Sequence, residues 1–165
     1  MTDLSLNLRA EQPPDAAAIE RLHARAFGPG RFARTAFRLR EGAEPRADLS
    51  FTALVGTLLV GSVRLTSVRA GATKALLLGP LTVDPSFEGR GIGAALLARA
   101  IAAARADGQR LVVLVGDEAY YGRLGFRRLP PGHLVLPGPV DPARVLALEL
   151  EPGALEAARG TVRAG

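Results

Sequence analysis

The chain of 165 residues fits a single domain, 1–165, and 48% of it is apolar, enough for a substantial core. Cysteine is absent and histidine occurs only at His23 and His133, which excludes disulfides, thiol catalysis and a cysteine zinc site and leaves no metal expected. The net charge of +5 comes from dispersed arginines, so a solvated surface that steers polyanionic ligands is expected rather than a nucleic-acid partner. No stretch approaches 18 uninterrupted apolar residues, so a soluble cytoplasmic protein without a membrane partner is expected.

Leu4 to Arg9 alternates apolar and polar residues and reads as a first strand. Asp15 is placed to cap a helix whose apolar face is Ala18, Ile19, Leu22, Ala26 and Phe27, with Gly28-Pro29-Gly30 as its stop. Ala33 to Arg40 reads as a second short helix carrying Arg31, Arg34, Arg38 and Arg40 at or near it, and Glu41 to Asp48 as a polar loop. Phe51 to Val55 and Leu58 to Val68 form a hairpin about Gly56-Thr57, with Gly61 marking a bulge or a close approach. Arg69 to Thr73 is a turn.

Lys74 to Val83 is the fourth strand, and Pro80 within it has no N–H for a ladder, so the strand must be bulged or unpaired on one side there. Asp84-Pro85 ends it. From Gly91 the apolar residues Ile92, Leu96, Leu97, Ala100, Ile101 and Ala104 recur at helical spacing until Gly108. Arg110 to Val115 is a nearly continuous apolar run, as in a strand buried on both faces, and should lie parallel to the fourth. Asp117 caps a brief helix, Glu118 to Leu124, ended by Gly125. Phe126 to Leu129 is a sixth strand, Pro130 to Pro142 a loop with an extended piece at His133 to Leu136, and Arg144 to Leu150 a last strand. Ala154 to Gly165 reads as a short helix and a tail.

Gly89, Gly91 and Gly93 sit where the long helix begins, although each would cost about 1 kcal/mol relative to alanine if fully helical. Either a tight turn or the close approach of an anion to the first-turn N–H groups accounts for them, with Arg90 adding charge in the second case. A Walker loop is excluded because no Gly-Lys-Ser/Thr follows. A dinucleotide fingerprint fits loosely as Gly89-x-Gly91-x-x-Ala94 with Asp117 as the ribose acid, but Asp84 to Glu88 separate its strand from its first glycine.

Residues 83–97, Val-Asp-Pro-x-Phe-x-Gly-Arg-Gly-Ile-Gly-x-x-Leu-Leu, resemble the acyl-CoA-binding segment of the GNAT superfamily of N-acetyltransferases. The preceding Leu-Gly-Pro-Leu and the later Tyr-Tyr-Gly-Arg-Leu-Gly-Phe are similar to the branch called YhbS-like. Glu88 stands where the family has Gln or Arg, a departure that touches one side-chain contact and leaves the backbone cradle intact. The resemblance implies a mixed α+β fold: a mostly antiparallel sheet of about six or seven strands with splayed parallel fourth and fifth strands. It also implies acetyl-CoA as cosubstrate, no metal, and transfer of the acetyl group to a primary amine.

On that resemblance the cofactor-binding residues are Leu81, Thr82 and Val83 along the splayed strand and Glu88, Gly89, Arg90, Gly91, Ile92, Gly93 and Ala94 at the cradle. Tyr121 matches the family's aromatic-Tyr-x-x-x-Gly-Phe pattern and is the expected general acid, suited to it by a reference pKa near 10 against about 8.5 for a thiol. Tyr120 takes the aromatic position before it. The family's asparagine ahead of this helix is missing, with Asp117 as a possible substitute. For the base, Glu41, Glu44, Asp48, Glu118 and water remain unranked. A small-molecule or peptide amine is the expected acceptor, and a homodimer is possible. A non-catalytic acyl-CoA sensor and a nicotinamide-dependent enzyme are the alternatives.

Overall fold

A computed structural model describes residues 5–28 and 43–165. The short helix read at Ala33 to Arg40, the arginines Arg31, Arg34, Arg38 and Arg40, and Glu41 lie outside the described residues.

Among the described residues the α-helices and strands follow in order: β1 (Leu6–Ala10), α1 (Ala16–Phe27), β2 (Phe51–Val55), β3 (Leu58–Ala70), β4 (Thr73–Val83), α2 (Ile92–Ala106), β5 (Leu111–Val115), α3 (Glu118–Tyr121), β6 (Arg127–Arg128), β7 (Leu134–Val135), β8 (Val145–Glu149), α4 (Ala154–Ala157) and β9 (Gly160–Ala164). The main path of the sheet runs β1-β2-β3-β4-β5-β8-β6, with β9 pairing both β3 and β7. Pairing is antiparallel except for β4 with β5 and β7 with β9. The β4-α2-β5 crossover makes the central pair parallel, as the apolar run after Gly108 predicts.

Two apolar layers enclose that sheet, and strand alternation assigns residues to each. Leu76 and Leu78 of β4 and Val112 and Leu114 of β5 join α2 residues Leu96, Leu97 and Ala100 with Phe126 in one core. Ala75, Leu77, Leu111 and Val113 face the other way, onto Leu134, Ala158 and Val162 of the C-terminal elements. Each fully buried leucine or valine contributes about 1.5–3 kcal/mol, so β5, covered on both sides, is the anchor of the sheet. α1 covers the α2-distal side of β3 and β4 further along, through Ile19 and Leu22 against Leu59.

Gly61 marks both a bulge and a close approach. The β2–β3 register shifts beside it, and a Cβ there would stand 3.0 Å from Leu96 Cδ1 and 3.1 Å from Ile92 Cγ2, so its absence lets α2 lie close on the sheet.

Four local readings are corrected. The turn read at Arg69 to Thr73 shrinks to Gly71-Ala72, because Arg69↔Lys74 and Ala70↔Thr73 extend the ladder and Gly71 alone supplies a φ of 60°. Asp15 does not cap α1 with its side chain; instead it accepts Arg9 Nη1 and Nη2 at 2.7 and 3.0 Å and the Gln12 N–H at 2.8 Å. The tail forms β9, with Val162 buried. Among the described residues the sheet accordingly has nine strands rather than six or seven, since β7 is only two residues long and β9 buries Val162 alone, so neither carries a readable alternation.

Candidate functional site: a strand gap beside an uncapped helix start

β4 and β5 pair only at Leu76↔Val112 and Leu77↔Val113. From Leu78 onward β4 has no partner on that side among the described residues. Its other edge stays zipped to β3 through Leu81↔Val63, Thr82↔Ser62 and Val83↔Gly61. The parting starts at Gly79-Pro80, a cis peptide, where two residues of β4 oppose the single Arg64 of β3. Gly79 has φ 128°, open only to glycine, and Pro80 donates no N–H, so bulge and gap both follow from this dipeptide. Behind the bulge Arg64 is held by Glu11, Nε to Oε1 at 2.9 Å and Nη2 to Oε2 at 3.2 Å.

Leu81 and Val83 point to the α2 face, and Thr82 therefore points away from it. Thr82 and Ser62, opposite each other in register, are buried with hydroxyls that bond no described group.

After β4 one tight helical turn, Pro85–Phe87, is capped by Asp84, which accepts the Ser86 N–H at 2.9 Å. Glu88, Gly89, Arg90 and Gly91 are exposed, and α2 then starts at Ile92. Gly91 is its N-cap at φ 77°, ψ 12°, and no side chain caps the helix. First-turn N–H groups that would ordinarily be met by Ser, Thr or Asp are thus left for a ligand, with the positive end of a 15-residue helix behind them. Gly89 also has φ 77°. A Cβ at Gly89 or Gly91 meets nothing within 4 Å, so left-handed backbone selects glycine at both positions. The Arg90 guanidinium sits 5.1 Å from the centre of the Phe87 ring. Ala94 is exposed on the first turn, while Ile92 is buried in the core.

α3 brings the tyrosines to this corner. Asp117 caps it by accepting the Ala119 N–H at 3.0 Å. The two rings meet edge to face, 5.0 Å apart at 86°. Tyr121 packs on Gly116, where a Cβ would stand 2.5 Å from its Cε2, and on Phe126 at 6.0 Å. It is the Tyr120 hydroxyl that lies at the helix start, 2.8 Å from where a Cβ of Gly93 would be. At Gly93, unlike its two neighbours, space selects glycine. The sequence pattern missed this contact, and missed Arg123 over the Tyr120 ring at 5.1 Å. A signal was present: Phe87–Arg90 and Tyr120–Arg123 repeat one aromatic-to-arginine spacing of three.

The unranked acids separate. Arg46 pairs with both Asp48 and Asp107, and Asp107 closes the far end of α2, about 22 Å from its start at 1.5 Å per residue. The hydrogen bond from Arg46, against some desolvation, also holds the Asp48 carboxyl below its ordinary range. Glu118 accepts the Arg128 N–H at 3.3 Å and pairs with its guanidinium at 3.4 Å. Glu44 is exposed. Among the described residues no group of three His, Asp or Glu side chains is placed to hold a metal, and no helix is long and apolar enough to cross a membrane.

Comparison with known proteins meets this geometry. A model described as the Acetyltransferase (GNAT) family matches residues 16–126, from the start of α1 through Phe126. The chain belongs to the GNAT acetyltransferase family.

Within that family it is 31% identical over 116 residues to the uncharacterized N-acetyltransferase YjhQ of Escherichia coli K12, a match covering 68% of this chain and 64% of that relative. The crystal structure of the GNAT N-acetyltransferase YhbS from Escherichia coli, in complex with CoA, superposes with a TM-score of 0.83 at 26% identity, covering 100% of this chain and 92% of that one. A GNAT acetyltransferase from Brucella melitensis, in complex with acetyl-CoA, gives 0.67 at 27% identity with 91% of each chain covered. The GNAT fold with its parallel β4–β5 pair is thus the frame of the gap, the uncapped α2 and the tyrosine pair, and the family match sets aside the dinucleotide fingerprint that shares Gly89 and Gly91.

Proposed function

We propose that the protein transfers the acetyl group of acetyl-CoA directly to a primary amine. The observation that carries this reading is the end of β4–β5 pairing at Leu77/Val113, beside the uncapped start of α2. One long ligand with a diphosphate at one end and amides along its arm matches those two features together. In this reading the N–H groups from Gly89 to Ala94 hold the diphosphate, Arg90 adds charge, and the loop from Glu88 shapes the entrance. The open edge at Leu81, Thr82 and Val83 bonds the amide arm as a further strand would, and one of its N–H groups polarises the thioester carbonyl.

Acetyl-CoA supplies an acyl group activated as a thioester. The amine nitrogen forms a bond to the acetyl carbon, the carbon–sulfur bond breaks, the amine gives up a proton and the departing thiolate takes one. Tyr121 is the residue we assign to give that proton, because a phenol, with a reference pKa near 10, can donate to a thiolate whose thiol has a reference value of about 8.5, and because it stands on α3 beside Tyr120. With Asp48 remote and Glu118 paired to Arg128, a water molecule relays the amine proton outward, or the acceptor arrives neutral.

The test is a panel of small amines, amino acids and peptides assayed for release of CoA thiol. Amine-dependent release that Tyr121→Phe suppresses supports the enzyme. CoA binding without release under any amine would make the chain an acyl-CoA sensor.

A further inference from the structure

We infer that Tyr120 is a positioning residue for the acyl donor, its hydroxyl holding the point where diphosphate and pantetheine arm join; the inference rests on the acyl-CoA reading above. A Cβ at Gly93 would stand 2.8 Å from Tyr120 Oη, 3.7 Å from Val83 Cγ2 and 3.8 Å from Leu81 Cδ2. The hydroxyl thus reaches a place where the first turn of α2 and the open stretch of β4 converge. The first of these carries the free N–H groups for phosphate and the second the backbone edge for the arm.

The rest of the Tyr120 side chain is fixed. The edge-to-face contact with Tyr121 holds one side of the ring, and Arg123 lies over it at 5.1 Å with its Nε donating to the Tyr120 carbonyl at 3.3 Å. The phenol tip reaches the first turn of α2 at Gly93, and it both donates and accepts. The guanidinium of Arg123, close above the ring, biases that tip toward an anionic oxygen. Gly93 has no backbone need to be glycine, since its φ is helical; the room it leaves is taken by this hydroxyl. The two adjacent tyrosines therefore divide the work: Tyr120 holds the donor and Tyr121 serves its chemistry.

The experiment is calorimetric titration of CoA into the wild-type chain, Tyr120→Phe and Tyr121→Phe, followed by KM and kcat for acetyl-CoA with the best amine from the panel. Tyr120→Phe should weaken CoA roughly tenfold, as expected for one hydrogen bond to a charged group, with the kinetic loss falling on KM. Tyr121→Phe should bind CoA as the wild type does. Unchanged CoA affinity in Tyr120→Phe overturns the inference and leaves the acyl-CoA reading standing. A loss in kcat at constant KM also overturns it, by making Tyr120 the proton donor. Failure of the wild type to bind CoA overturns both.

Discussion

Arg25, in the last turn of α1, donates through Nη2 to Asp84 Oδ2 at 2.6 Å, joining the helix on one face of the sheet to the residue that ends β4. The same carboxylate caps the turn leading to Gly89 through its bond to Ser86 N–H. Asp84 is thus the hinge pin between α1 and the helix-start cradle. The guanidinium is 57% exposed and the carboxylate 13%, so the ion pair itself is screened and the cap is the larger contribution.

Asp84→Ala should therefore destabilise by about 1–2 kcal/mol, mainly through the lost cap, and Arg25→Ala by about 0.5 kcal/mol. Urea denaturation of the two variants checks the order. Equal losses would mean that the ion pair dominates.

Gly91→Ala meets no atom, so its cost is that of left-handed backbone alone, about 1–2 kcal/mol. Gly91→Asn should recover part of that loss, because asparagine tolerates this region. The comparison is made on the protein without ligand, by the same urea midpoints.

Gly93→Ala obeys different physics. A helical alanine is favoured by up to about 1 kcal/mol over glycine, but here its methyl meets Tyr120 Oη. The variant should melt below the wild type, whereas adding Gly93→Ala to Tyr120→Phe should be neutral or stabilising. A thermal double-mutant cycle without any coupling would contradict the placement of that hydroxyl.

Tyr121→Phe should lower kcat about a hundredfold, the low end of what a general acid contributes, with CoA affinity unchanged. Single-turnover measurement of thiol release separates this from slow product departure.

Burial alone would raise the Asp15 carboxyl, but the bonds from Arg9 and the Gln12 N–H outweigh it and hold its pKa below the ordinary value. A depressed carboxylate contributes stability above its unfolded pKa of about 3.9 and loses it as pH falls through the folded value. Stability should thus be level with respect to this group above about pH 5 and fall below about pH 4. Asp15→Asn should cost about 1.5–3 kcal/mol at neutral pH and flatten the acid slope, read from urea midpoints across pH.

Much of the site was legible in the chain because it rests on restrictions that single residues carry wherever they stand. Pro80 lacks an N–H wherever it stands, so a bulge or an unpaired side in the fourth strand was readable from it, and Gly89, Gly91 and Gly93 marked the start of α2 as either a tight turn or an anion's approach. The nearly continuous apolar run from Arg110 to Val115 announced a central strand in the same way. What the chain could not say is which of Tyr120 and Tyr121 reaches Gly93, that Asp15 answers Arg9 instead of capping its helix, or that Gly160–Ala164 joins β3. Those depend on how α3 docks through Gly116 and Phe126, on which charge lies across a turn, and on which edge a short strand finds. Each is decided between segments rather than within one, where no local preference distinguishes the alternatives and packing makes the choice.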